Sequence, residues 1–496
     1  MADLSRRHLL GAVGLGSLGL VAGGWTAPAQ ARASKWKDLS RRLSGHLVGP
    51  DSPRYAELAT PRNLRFAALM PRAVALCADT RDVSVAVRWA RKTGTPFAIR
   101  GGGHNYASAS SSDGLIICTR AMAAAAVEGT RLRAEAGVRN MDLAALLPRG
   151  GKGRLLLPGG NCPNVGIVGL TLGGGIGPNA PWAGLTADRL REATMVTADG
   201  DVVTASVRSN PDLFWGLRGG AGGNFGVVTE LVYDMVEVPV ARATGFVLWF
   251  DGEEAASLAG AAWQQARRAG GRRVSGSWVA VRTPDGVRGR VRGQALMTEA
   301  DARSMLAPLL SLGPASVEVV ERTFWGTYEW YTAPISDPGF FWDRSLYAER
   351  DLPDEAIADI VAVVSRWPRP DAGVGACQVL GWVGGAVNDV GPTATSYVHR
   401  RARAIIEVLS GWEGRENPTR WPTRVPRDVH DWADELWETV WPHSNGQSYQ
   451  NFPDPGLRDW ARAYYGENLD RLTQVKGRWD PLNLFTHAQG VPLPGK

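Results

Sequence analysis

At 496 residues the chain is too long for one ordinary core, and two domains are the expectation. Its formal net charge of +6 is modest for that length, and basic residues are scattered among acidic ones, which argues against a nucleic-acid partner. Past the N-terminus no apolar run is long enough to span a bilayer, and no two Cys or His residues sit at zinc-ligand spacing, so neither stable membrane insertion nor a metal site is expected.

The first element in chain order is an address. Ser5-Arg6-Arg7-His8-Leu9-Leu10 precedes an apolar, glycine-rich run to about Ala22, and Ala31-Arg32-Ala33 fits an A-x-A cleavage site. Residues 1–33 resemble a twin-arginine export signal, with an ordinary secretory signal as the alternative. That route carries folded proteins, so it suits one that loads a cofactor before leaving the cytoplasm for the periplasm or the exterior. The first domain is expected over residues 34–238. ADTRDVSVAVRWARKTG carries Val83, Val87 and Ala90 at helical spacing, with Gly94 as a stop. TPFAIR, GLIICTR and LRAEAGV read as strands, and Asn140–Leu147 as a short helix before Pro148. The α/β alternation is expected to continue to about Val238.

Residues 239–440 change character. TGFVLWF, SGSWVAVR and VRGQALM read as strands, and LPDEAIADIVAVVSRW as a helix, among tryptophans that include Trp325, Trp330, Trp342, Trp382 and Trp412. The expectation is an antiparallel sheet backed by helices, hence an α+β protein of two domains. Those tryptophans suit a core, with stacking on sugar or aromatic rings as the alternative. Residues 441–496 form a distinct C-terminal segment. Cys77 in AVALCA and Cys118 in LIICT read as small buried hydrophobes, with a disulfide between them as the alternative.

Three glycine clusters carry the strongest signal. Gly101, Gly102 and Gly103 stand directly before His104; Gly159 and Gly160 stand just before Cys162; a third cluster runs from Gly219 to Gly226. Glycine permits positive φ and lets a ligand approach the main chain, and successive N–H groups make an anion site suited to a pyrophosphate. Gly166, Gly169, Gly173 and Gly177 lie three, four and four apart, which on a helix would make a smooth face for a flat group. None of the clusters has the spacing of the Rossmann fingerprint.

Four motifs in order give the chain a family resemblance. RGGGHNYASAS, PGGNCPNVGIVGLTLGGGIG, NPDLFWGLRGGAGGNFGVVTE and YYGENLDRLTQVKGRWDPLNLF resemble those of the FAD-linked oxidases of the berberine bridge enzyme type, within the vanillyl-alcohol oxidase or PCMH-type superfamily. The resemblance implies a PCMH-type FAD-binding domain, an antiparallel-sheet substrate domain and a C-terminal segment returning to the first. It implies FAD bonded through its 8α carbon to His104 and through C6 to Cys162. The cofactor contacts it implies are Arg100, Gly101, Gly102, Gly103, Asn105, Gly160, Val165, Gly166, Gly169, Gly173, Gly174, Gly177, Asn224, Gly226 and Asn451. Valine at 165 resembles the oxidases of the family, so molecular oxygen is the expected acceptor. Two tethers let the substrate side stay open to a small-molecule or oligosaccharide alcohol.

A base must take the alcohol proton while hydride leaves carbon. Tyr449 in YQNF matches the family position facing the flavin, and Glu407 in AIIEVLSGW matches one lining the substrate side. Phe452 departs from the pattern, since many relatives carry a second tyrosine there. If that second tyrosine is the base, this chain lacks it. A dehydrogenase using another acceptor and a flavin-carrying binding protein without turnover are therefore the alternatives to an oxidase. His399 in SYVHR reads as structural.

Overall fold

The computed structural model describes residues 27–334, 337–413 and 424–495. Ser5–Leu10 and the apolar run of the expected export signal lie outside the described residues, whereas Ala31-Arg32-Ala33 falls in a helix, Ala27–Arg42. Two compact units divide between Arg41 and Arg42, and the rest of this description concerns the second. No helix among the described residues is long and apolar enough to cross a membrane.

The second unit begins with a four-stranded sheet. Its strands lie in the order His46–Val48, Ala73–Leu76, Leu115–Cys118, Phe97–Arg100, and the last three are mutually parallel. AVAL and LIIC are buried at every position, as strands covered on both faces must be. Helix Thr80–Thr93 connects two of them. Asp79 caps it by accepting the Asp82 N–H, and Gly94 stops it in the left-handed region at φ 62°. Cys77 and Cys118 are free, buried thiols; the Cys77 N–H donates to the Cys118 carbonyl at 2.9 Å, and no disulfide joins them.

The expected alternation of helices and strands runs on through helices Asn140–Leu146, Ile167–Leu172 and Pro211–Gly216 to strand Val227–Asp234, but the pairing of the strands changes after residue 118. The strands after it pair antiparallel in one sheet, in the order Ala125–Glu128, Arg131–Glu135, Val227–Asp234, Leu190–Val196, Val202–Ser206. The reason is local: Glu128 and Arg131 are joined by a two-residue turn with Gly129 at φ 62°, and a connection that short can only return the chain antiparallel.

Residues 242–412 build an eight-stranded antiparallel sheet. Ser316–Thr323, Arg242–Asp251, Gly286–Ala295, Val274–Thr283, Gly373–Leu380 and Ala404–Trp412 lie side by side in that order. Phe340–Phe341 and Arg344–Ala348 both pair with Ala404–Trp412. Helices Glu253–Gly270, Asp354–Ser365 and Arg427–Val440 cover one face, and Phe246, Trp263, Trp278, Ile360 and Trp432 fill the layer between. Trp342 and Trp412 belong to this core. Close packing there requires glycine: a Cβ on Gly289 would lie 2.7 Å from the Ala256 Cα. The other face looks onto a cavity.

The C-terminal segment returns to the first half of the chain. Tyr464, Tyr465, Leu472 and Val475 share a core with Leu213, Phe214 and Phe225. A fully buried ion pair fixes it: Lys476 Nζ donates to Asp480 at 2.7 Å and to the carbonyls of Asn224 and Phe485, while Asp480 accepts the N–H groups of Leu484 and Phe485. Each charge keeps a full set of partners, the condition under which burying it is tolerable.

Candidate active site

The His104 loop and the Cys162 loop meet backbone to backbone. A Cβ on Gly102 would sit 2.3 Å from the Gly166 amide nitrogen, and one on Gly166 would sit 2.6 Å from that of Gly102. Only glycine at both positions allows this approach. The Cys162 loop is tied down independently: the Asn140 N–H donates to the Val165 carbonyl, the Ile167 N–H to the Val138 carbonyl, and Asn140 Nδ2 to the Cys162 carbonyl at 3.0 Å. His104 and Cys162 therefore line one cavity of about 730 Å³, together with Gly101, Gly102, Gly103, Asn105, Gly160, Val165, Gly166 and Gly169.

Several residues expected at the cofactor serve the scaffold instead. Arg100 does not line the cavity. Its buried guanidinium donates to the carbonyls of Ser110, Leu58 and Thr60, which folds the loop after Gly103 back onto the sheet. The smooth helical glycine face does not form, because the helix spans only Ile167–Leu172 with Gly166 and Gly173 as its caps. Gly169 lines the cavity, and a Cβ there would meet nothing within 4 Å. Gly173, Gly174 and Gly177 do not line it; their missing side chains make room for Asn451, the Tyr397 ring and the Gly159 carbonyl. Asn224 is likewise a strut: Nδ2 donates to the Gly220 carbonyl and Oδ1 accepts the Val491 N–H. Its neighbours Gly222, Gly223 and Gly226 do line the cavity.

Burial sets the protonation of both candidate attachment residues. It lowers His104 to about 4, with the nearby Arg62 acting in the same direction, so the imidazole is neutral and nucleophilic at neutral pH. It raises Cys162 to about 11, with Glu407 adding to the rise and Arg62 opposing it, so the sulfur holds its proton at neutral pH.

Tyr449 is buried, yet its hydroxyl oxygen faces three donors: the Gly175 N–H at 3.2 Å, the Ile176 N–H at 3.5 Å and Asn451 Nδ2 at 3.2 Å. Desolvation raises its pKa, and these three contacts pull against that rise. Asn451 also donates to the carbonyls of Gly169 and Leu170, so it couples Tyr449 to the cavity helix. Phe452 packs edge-on against Tyr449 and stacks on Tyr106, at 5.0 and 5.2 Å between ring centres. His399 is structural, its two ring nitrogens bonded to Gln447 and Gln450.

The opposite wall is the open face of the eight-stranded sheet. Strand register places Trp249, Arg290, Val279, Gln378 and Glu407 in one row across five strands. Glu407 is a buried group in the sheet interior, flanked by strands on both sides. Burial and the charge of Asp343 push its pKa well up, which favours its protonated form; burial raises Asp343 itself to about 7.

Trp382 lines the cavity, as the stacking alternative for the tryptophans allows, whereas Tyr106, Arg290, Arg292, Gln378 and His487 line it without having been singled out by the sequence. The alternation of arginine in VRGRVRGQ was a usable signal for two of them. His487 had none; its Nε2 is buried without a hydrogen-bond partner. Among the described residues no group of three or more His, Cys, Asp or Glu is placed to hold a metal.

Comparison with known proteins gives this cavity a context. An FAD-binding domain model matches residues 71–206, and a "berberine and berberine like" model matches residues 448–492. An uncharacterized FAD-linked oxidoreductase of Bacillus subtilis is 33% identical over 463 residues, covering 91% of this chain and 97% of its own. The structure of xylooligosaccharide oxidase from Myceliophthora thermophila with xylobiose superposes with a TM-score of 0.79 at 25% identity, covering 94% of this chain and 99% of its own. Glucooligosaccharide oxidase from Acremonium strictum, which carries a 6-S-cysteinyl, 8α-N1-histidyl FAD, superposes with a TM-score of 0.78 at 25% identity over 92% of this chain and 99% of its own.

Proposed function

The chain belongs to the berberine-bridge-like family of FAD-linked oxidoreductases, and from that premise we propose that it tethers FAD through both His104 and Cys162 and oxidises a saccharide hydroxyl with molecular oxygen. The observation that carries the reading is the backbone contact of Gly102 with Gly166, which draws an imidazole and a thiol from distant parts of the chain to one cavity. The residues present suit a flat cofactor. Gly169 leaves open space where any side chain would stand, and the Nε2 of His487 is a buried polar atom without a partner in the same cavity. Residues 101–103 and 222–223 would hold the cofactor by their main chain, with His104 and Cys162 as its anchors.

FAD, when bound, supplies the hydride acceptor. The chain's own part is proton handling and positioning. Tyr449 Oη, as a phenolate held by its three donors, takes the proton of the substrate hydroxyl and becomes the neutral phenol. Glu407, protonated, donates a hydrogen bond that orients the same hydroxyl. Phe452 leaves Tyr449 as the base and supplies packing instead of a second phenol. The alcohol loses two electrons and two protons to become a carbonyl, and oxygen gains both to become hydrogen peroxide. Val165 at the cavity wall supports oxygen as acceptor, and the relatives named above support a saccharide as substrate. Ser5–Leu10 supports export of the folded, flavin-loaded chain.

Acid precipitation tests the tethers. The wild-type pellet is expected to be yellow, His104→Ala and Cys162→Ala should each keep a coloured pellet, and the double variant should release its dye into the supernatant. A colourless wild-type pellet would overturn bicovalent attachment. Peroxide release with cello-, xylo- and chito-oligosaccharides tests the reaction; reduction of the flavin without peroxide would instead make the protein a dehydrogenase.

A further inference from the structure

Strand Gly286–Ala295 carries arginine at every second position, Arg288, Arg290 and Arg292, between residues that face the helix layer. The three share the open face of the sheet and meet different fates. Arg288, outermost, pairs with Asp251 at 2.7 Å. Arg290 and Arg292 line the cavity, and among the described residues neither has a carboxylate within ion-pairing distance. Arg290 lies over the Trp249 ring, and its buried Nε has no hydrogen-bond partner. Arg292 is held between Trp330 and Tyr331, each ring centre 4.9 Å from its guanidinium carbon, and donates to the Trp330 carbonyl at 2.6 Å. Burial and the charge of Arg292 both lower the pKa of Arg290; the Tyr331 phenol opposes them, and no carboxylate does.

Two adjacent, half-buried guanidinium groups without a counter-charge cost stability. A planar anion answers both, since a guanidinium binds a carboxylate through two parallel hydrogen bonds. We propose that Arg290 and Arg292 form a subsite for a carboxylate on the substrate, so that the preferred substrate is an acidic one, such as a uronate-bearing oligosaccharide. The proposal rests on the oxidase reading above. Arg290 stands three strands from Glu407 in the same row, roughly 14 Å at the usual strand spacing. The long Arg290 side chain can span part of that separation and so meet a carboxylate on the unit next to the one oxidised.

The test compares cellobiose with the same disaccharide bearing glucuronate at its non-reducing end, using the flavin-loaded full chain. Calorimetry gives binding and peroxide release gives kcat/KM. Wild type should favour the acidic disaccharide by ~10–100-fold in both, the worth of a charged hydrogen-bonded contact. Arg290→Gln should bring the ratio near one, and Arg290→Lys, which keeps the charge, should restore part of it. Unaltered flavin content in the variants excludes misfolding as the cause. Equal binding of the two disaccharides by wild type, or a preference that survives Arg290→Gln, overturns the subsite. Arg290-dependent binding of the acidic disaccharide without oxidation of either would support the subsite and sink saccharide oxidation. The carboxylate would then belong to another alcohol, with 4-(hydroxymethyl)benzoate as the probe for that arm.

Discussion

The two walls of the cavity are built on opposite principles. The wall carrying His104 and Cys162 is mostly main chain: Gly101–Gly103, Gly160, Gly166, Gly169, Gly222 and Gly223 present amides and empty space. The facing wall is mostly side chains on a sheet, with Arg290, Gln378 and Glu407 in a row fixed by strand register. A main-chain wall offers much the same surface whatever the substrate, which suits a resident cofactor. A side-chain wall can be altered one residue at a time without disturbing the strands beneath, which suits a varying substrate.

The sharpest way to break this division is at Tyr449, where the walls meet. Tyr449→Phe keeps the ring and loses the hydroxyl, so turnover should fall ~10²–10⁴-fold while flavin content holds; undiminished peroxide release would remove Tyr449 from proton transfer. Next comes the main-chain wall. Gly102→Ala forces a Cβ against the Gly166 amide and should cost about 3 kcal/mol, seen as a lower Tm and a colourless product. Gly169→Ala separates fold from cofactor. Its Cβ meets no protein atom, and Ala exceeds Gly in helix propensity by about 1 kcal/mol, so the flavin-free chain should hold or gain Tm while flavin uptake drops. Uptake at the wild-type level would mean that the open space beside Gly169 is not where the ring lies.

The smallest effect lies on the side-chain wall. Asp343 is raised to about 7 and Glu407 is raised as well, so the folded chain binds protons that the unfolded chain has released. Stability therefore declines as pH climbs from about 4 through about 7, where Asp343 ionises, and goes on declining until Glu407 has lost its proton as well. Asp343→Asn removes one titrating group and the charge that raises the other. Its Tm relative to wild type should rise across that window; a flat difference would show that burial does not raise Asp343.

The glycine clusters were legible because they are local: each loop's conformation depends on a few consecutive residues without a Cβ. The same locality misled where a neighbour decided the outcome. Arg100 follows a buried strand and precedes the glycines, but Ser110, Leu58 and Thr60 capture its guanidinium. Gly173, Gly174 and Gly177 continue a helical spacing past the end of the helix, and each yields its space to a protein neighbour. Asn224 stands in a glycine loop but answers to Val491, at the far end of the chain.

By itself the sequence determined the strands, the caps of helix Thr80–Thr93, the three glycine loops and the presence of an imidazole and a thiol beside them, because propensity, capping and positive φ act over a few residues. Tertiary structure alone decided that Gly102 touches Gly166, that three donors converge on Tyr449, and that Arg290 and Glu407 share a row while lacking each other's charge. Those are matters of register and close approach between segments far apart in the chain. They are set by which faces pack together, and no local pattern encodes that.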